Sequence, residues 1–260
     1  ADSGAVGAAR ADAAAAARAK RMAQLDKRQK PIFELVETER DFVRYVGVIV
    51  NVFMIPLRER GIVAADMLER MFPKLDELHR LNTQLLAQWD ASGDDVFRTA
   101  GATFCEHLTD HVQRVYALSV ARYEKTLDLC MKQAESNAAF ARFCADAQLD
   151  PRCEMQDLAS LVIKPFQRMT KYPLLFREIL KQTPDEHASR GDFERAQRAA
   201  EALLDKINGV KAFQSRANRA EELRRSIKGI EHSPYVAKSA RELLREGVVT
   251  LHADGGGGES

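Results

Sequence analysis

Three side chains invite a metal reading: Cys105, His107 and His111, with the two histidines four residues apart and on one face of any helix that spans them. The sequence has no HExxH, and no fourth ligand follows at a fixed spacing. The trio therefore reads more simply as polar residues on a solvated helix face. There is no G-x-x-x-x-G-K-[ST] and no G-x-G-x-x-G, hence no recognisable phosphate cradle. Ser, His and Asp residues are scattered without a nucleophile elbow, so hydrolase chemistry has no support.

Two other segments are more informative. The first is Ile32-Phe-Glu-Leu-Val-Glu-Thr-Glu-Arg-Asp-Phe-Val. At 100° per residue, Glu34, Glu37, Thr38, Asp41 and Tyr45 lie opposite the apolar stripe. A helix dipole also favours acidic residues in a first turn, so charge complementarity alone would account for them. The second runs from Leu161 to Leu180 and holds Pro165 and Pro173 in a helical pattern. It leaves Lys164, Gln167 and Lys171 on a polar face, while Phe166, Met169, Phe176 and Leu180 face inward. An interior proline costs roughly 3 kcal/mol, and strain of that kind often accompanies function.

The elements that must position these faces are helices. From Ile32 the apolar residues Leu35, Val36, Phe42, Val43, Val46, Ile49, Val50 and Phe53 follow i, i+3, i+4 spacing, with a kink at Pro56 and an end at Gly61. A second stripe covers Leu68–Trp89, interrupted by Pro73. A third covers Val96 to about Met131, and a short one Ala138–Ala147. A fifth begins near Asp157, and a sixth runs from Phe193 to about Gly229. The sixth would be about 55 Å long at 1.5 Å per residue, which implies an all-α, elongated helical bundle. Only Gly247–Leu251 alternates like a strand.

Composition fits this class. Of 260 residues, 45% are hydrophobic and 30% charged, and Lys+Arg 39 against Asp+Glu 38 leaves +1, so no global field draws the chain to nucleic acid. No apolar run is long enough to span a bilayer. Cys105, Cys130, Cys144 and Cys153 form no C-x-x-C pair and read as free thiols of a reducing, cytoplasmic compartment. Eleven of the first twenty residues are Ala, and a basic stretch, Arg18–Lys30, leads to Pro31. Residues 1–30 thus read as an extension that opens at a fragment boundary rather than as a targeting peptide.

Glu34–Val43, followed by Ile55-Pro-Leu57, resembles the first signature region of the Dbl-homology domain of Rho-family guanine nucleotide exchange factors. Asp157–Leu175 resembles the third region nearly residue for residue, and Tyr116–Tyr123 with Asn137-x-x-Phe140-x-x-Phe143 resembles the looser middle one. The resemblance spans about Pro31 to Ala220. Arg241–Val249 is similar to the entry of the pleckstrin-homology domain that usually follows. The domain boundaries expected are 1–30, 31–229 for the Dbl-homology domain, and 230–260 for a linker and the first strand of a truncated pleckstrin-homology domain.

The resemblance implies a protein that binds a Rho/Rac-family small GTPase and releases its GDP, with no cofactor, no metal and no covalent chemistry. Glu34 matches the glutamate that engages switch I. Lys171 matches the basic residue that holds switch II together with Asn208 of the last long helix. Ile163, Phe166 and Gln167 match the patch packing on switch II, and Glu37, Thr38, Lys164 and Arg168 complete the expected GTPase-binding face. Phe42 stands where Tyr is usual, and Phe166 is bulkier than the common residue. The alternative is an inactive Dbl-like scaffold for a GTPase or cytoskeletal partner. The resemblance also implies recruitment to membrane or cytoskeleton, with peripheral membrane contact through the pleckstrin-homology domain. Separately, the adjacency of the Ala-rich lead-in to Pro31 raises the expectation that it folds over the Glu34 face.

Overall fold

A computed structural model describes residues 2–226, which are helical almost throughout and contain no strand. Residues 1–208 form one compact unit, and residues 209–260 form a second. The strand-like stretch at 247–251 and the stretch similar to a pleckstrin-homology entry lie outside the described residues.

The chain opens with α1 (Asp2–Gln24) and turns back at Asp26, whose carboxylate accepts from the Gln29 N–H (2.7 Å) while the Gln29 amide oxygen accepts from the Asp26 N–H (3.2 Å). This reciprocal pairing is the physics of a capping box, and it starts α2 (Gln29–Val48) two residues before Pro31. The stripe of α2 is buried as its spacing predicts: Ile32, Leu35, Val36, Phe42 and Val46 are all inside. Beyond Val48 the helix widens into a π-helical stretch, Ile49–Met54, where the Ile55 N–H reaches the Val50 carbonyl five residues back. Pro56 supplies the reason: it has no N–H for the Val52 carbonyl, and a wider turn relieves that loss. The helix then continues as α3 (Ile55–Glu59) and ends at Gly61, whose φ of +60° suits glycine.

Pro73 separates α4 (Ala65–Met71) from α5 (Leu75–Ala91), as expected. The single helix predicted from Val96 to Met131 is instead three: α6 (Val96–His107), α7 (Asp110–Val120) and α8 (Tyr123–Ser136). The first break is a capping decision, because the Thr109 hydroxyl accepts from the Val112 N–H and opens α7. Asn137 caps α9 (Ala138–Gln148) in the same way. The fifth segment divides into α10 (Leu158–Val162) and α11 (Lys164–Lys181). Pro165 therefore occupies the first turn of α11, where it costs little, and only Pro173 is interior. The last helix, α12 (Arg190–Ser226), buries Phe193, Ala196, Ala200, Leu203 and Ile207. Gly101 lets it begin against α6: a Cβ there would stand 2.9 Å from the Phe193 ring and 3.0 Å from backbone.

At the centre, α2 packs against α5 and α11. Glu39 of α2 is fully buried and faces Arg168 of α11, itself 3% exposed. Glu39 Oε2 accepts from Arg168 Nε (2.9 Å), Arg168 Nη2 (2.8 Å) and the Tyr172 hydroxyl (2.6 Å). Arg168 also donates to the Leu35 carbonyl (3.1 Å). Burial works against the Arg168 charge, but Glu39 and Tyr172 together outweigh it and hold the guanidinium above its usual range. Nearby, the Tyr116 hydroxyl donates to Asn82 Oδ1 and ties α7 to α5.

Removing one partner of a buried pair strands the other charge. Arg168→Ala is expected to cost about 3–5 kcal/mol in urea denaturation, and Glu39→Leu with Arg168→Met is expected to cost less than that single change. Burial, reinforced by Glu39, also raises the Tyr172 and Tyr116 hydroxyls above the usual phenol range. The native state holds those protons more tightly than the unfolded chain. The contribution is complete below about pH 10 and is lost as pH rises through the folded values. Urea midpoints should fall as pH rises above about 10, less steeply in Tyr172→Phe than in wild type.

Candidate functional site

The two segments singled out by sequence become α2 and α11, and they run antiparallel. Tyr45 meets Lys164, Thr38 meets Arg168, and Glu34 shares a surface hollow with Glu178 and Gln182. Their outward sides form one continuous face. Glu34 and Lys171 are both exposed on it, and neither makes an ion pair with any described residue. Gln167 is exposed as well, while Ile163 and Lys164, at the α10–α11 junction, are half-buried. Phe166 is half-buried rather than inward, and stacks on Tyr123 of α8 with ring centroids 4.8 Å apart.

Three of the expected binding residues have contacts of their own within the domain. Arg168 is not on the face, because its guanidinium is held inside by Glu39, Thr38 and Leu35. Thr38 is occupied: its hydroxyl accepts from Arg168 Nη1 (2.7 Å) and donates to the Glu34 carbonyl (2.7 Å). Glu37 is paired with Arg40 at 3.3 Å and with Arg18 of α1 at 3.6 Å. Asn208 is exposed on α12, one residue past the buried Ile207, and no hydrogen bond among the described residues joins it to Lys171.

Sequence reasoning missed Leu174, which is 54% exposed on the same side of α11 as Lys171 and Glu178. The signal was available: Leu174 falls three residues after Lys171, out of phase with the buried stripe of Met169, Tyr172, Phe176 and Ile179. The metal reading of Cys105, His107 and His111 loses its geometry, because the break at Thr109 puts the histidines on different helices. His111 Nε2 bonds Glu77 at 2.8 Å instead. No group of three His, Cys, Asp or Glu residues among the described ones is placed to hold a metal ion. The cysteines are free thiols, and burial pushes Cys130 up to about 12 and Cys144 up to about 11, which makes both poor nucleophiles. Among the described residues no helix is long and apolar enough to cross a membrane.

The α1 helix lies back along part of this face. Arg18 reaches Asp41 at 3.2 Å in addition to Glu37, and Arg21 pairs with Asp94 at 2.6 Å. Met22 and Lys27 line the hollow beside Glu34 but leave that carboxylate exposed.

A buried ionic seam under an exposed acidic and basic face, built on two antiparallel helices, presents a rigid surface that another protein can bind. The family model of the RhoGEF domain matches residues 31–208. The chain belongs to the RhoGEF domain family. Relatives of this RhoGEF domain include the myosin-M heavy chain of Dictyostelium discoideum, 29% identical over 225 residues, covering 86% of this chain and 13% of that protein. Human intersectin-1 is 29% identical over 187 residues, covering 70% of this chain and 11% of that protein. The chain thus spans about an eighth of the length of these relatives. Among solved structures, the DH/PH domain of human ARHGEF11, in a ternary complex with RhoA and its inhibitor, superposes with a TM-score of 0.72 at 22% identity, covering 80% of this chain and 64% of that one. The linker-DH/PH domains of p115-RhoGEF give 0.73 at 24%, covering 80% and 65%. At these identities the likeness establishes the fold.

The RhoGEF domain's exposed charges and its buried ones are expected to part company in a stability measurement. Glu34→Ala and Lys171→Ala should each leave the urea midpoint within about 0.5 kcal/mol of wild type, since neither side chain supports the fold.

Proposed function

We propose that this RhoGEF domain accelerates GDP release from a Rho/Rac-family small GTPase by binding its switch regions. The observation that carries the reading is that Glu34 and Lys171 are exposed on the α2–α11 face and make no ion pair among the described residues, each at the position that the signature regions assign to GTPase contact. Ile163, Phe166, Gln167 and Leu174 supply apolar and polar surface between them, and Asn208 is the assigned partner of Lys171. That DH/PH relatives have been solved with RhoA supports a Rho-type partner.

The mechanism is linkage. A domain that binds the nucleotide-free GTPase more tightly than the loaded one weakens nucleotide affinity by the same factor. It stabilises a switch arrangement in which metal and phosphate contacts are lost. No covalent step and no nucleotide site on this chain enter, so the protein is an exchange factor rather than an enzyme of bond-making chemistry. The interface should exceed roughly 2,000 Å² in total. The domain acts in the cytoplasm, with residues 31–229 as the exchange unit, residues 1–30 as an extension, and residues 230–260 leading into a pleckstrin-homology domain that brings it to membrane or cytoskeleton.

Fluorescent-GDP release from a panel of Rho-family GTPases tests the reading. Wild type should accelerate release from at least one member, and Glu34→Ala and Lys171→Ala should each lower the rate by about tenfold or more. Binding without release would favour the inactive scaffold instead. The Arg18 contacts to Glu37 and Asp41 favour a restraining role for α1. Exposed ion pairs are worth at most about 1 kcal/mol each, so deleting residues 1–24 should raise the exchange rate by a few-fold and no more. An unchanged rate removes that role.

A further inference from the structure

Tyr45 lies on the same side of α2 as Glu34, eleven residues or about 16 Å further along the axis. Its ring carries two cations: Arg44 Cζ is 4.4 Å from the centroid and Lys164 Nζ 4.9 Å. The two are not equivalent. Arg44 is answered by carboxylates, Glu154 at 2.6 Å and Asp41 at 3.6 Å. Lys164 has no carboxylate within ion-pair distance among the described residues, and the Tyr45 ring is the contact the structure gives its ammonium group. Lys164 is also the first residue of α11, immediately after Ile163. An ammonium has three N–H donors, so one lying on a ring face still presents donors outward.

We infer that Tyr45 is a positioning residue of the exchange site: it holds Lys164 beside Ile163 so that the ammonium meets a carboxylate on the surface of the GTPase. This rests on the exchange reading above and deepens it, by naming an acidic recognition element at the end of the face remote from Glu34. A lysine loose in solvent would lose rotamer freedom on binding, and the ring removes part of that cost beforehand. The adjacent Arg44 cannot substitute, because Glu154 and Asp41 already neutralise it.

The test is steady-state exchange with the responsive GTPase, comparing Tyr45→Leu, Tyr45→Phe, Lys164→Met and the Tyr45→Leu/Lys164→Met double variant in low and high salt. Tyr45→Leu should raise KM by about three- to fivefold with kcat unchanged. Tyr45→Phe keeps the ring and should keep the wild-type KM. Lys164→Met should raise KM at least as much and flatten its salt dependence, and the double variant should be no worse than Lys164→Met. A Tyr45→Leu loss that adds in full to the Lys164→Met loss, or that falls on kcat, overturns the proposal, as does a wild-type KM in Tyr45→Leu. If wild type exchanges and Glu34→Ala abolishes it while the Tyr45 variants behave as wild type, only the Tyr45 assignment fails. If wild type neither releases GDP from any GTPase nor binds one in calorimetry, the exchange reading fails and the assignment falls with it.

Discussion

Glu39 has no exposed surface, and a carboxylate in that position must be answered by donors from the helix it faces. Arg168 and Tyr172, one turn apart on α11, both reach the same oxygen, Oε2. Their convergence fixes how far α11 slides along α2 and how each helix is rotated about its axis. Shifting α11 by one residue turns Arg168 away from Glu39 and leaves two opposite charges buried without partners, a penalty of several kcal/mol. The register that results brings Thr38 to Arg168 and Tyr45 to Lys164. Glu34, whose carboxylate has no ion-pair partner among the described residues, is left in the open.

The same constraint divides α11 lengthwise. Arg168, Met169, Tyr172, Phe176 and Ile179 turn inward, where Phe104 of α6 packs on Tyr172 and Phe176 with centroids 5.0 and 4.9 Å apart. Gln167, Lys171, Leu174 and Glu178 turn outward on the opposite phase. Substitutions on the two sides act through different physics: on the inner side they leave an uncompensated charge or a cavity, and on the outer side they change only the exposed surface. Arg168 and Lys171, three residues apart and both basic, are therefore not interchangeable parts of one patch.

That division was only partly legible in the sequence. The all-helical class, the α2 stripe and the break at Pro73 follow from periodicity and proline chemistry, which are local and read directly. The outward positions of Glu34, Gln167 and Lys171 follow from the same 100° geometry. Arg168 was placed wrongly because its burial depends on Glu39, 129 residues away, and no local rule announces that pairing. The single helix drawn from Val96 to Met131 shows another limit. Apolar spacing there continues through Thr109, while the hydroxyl of that residue stops one helix and starts the next. A Thr-Asp pair at the start of a new polar turn was the signal, and the periodicity obscured it. Pro165 stores no strain, because the helix boundary falls just before it and in a first turn the missing N–H costs little.

The ionic seam is a costly way to join two helices if stability is the only aim, since apolar residues of similar volume often serve as well or better. Apolar packing, however, tolerates small rotations, because dispersion contacts are many and weakly directional. Three hydrogen bonds converging on one buried oxygen tolerate little. A docking surface gains from rigidity, because any freedom in the free domain is entropy lost on binding. The buried Glu39–Arg168–Tyr172 group, the stack of Phe166 on Tyr123 and the ring under Lys164 all restrict the same strip of α2 and α11 from beneath or from its edges. The groups left exposed on that strip are carried on helices whose positions are already set.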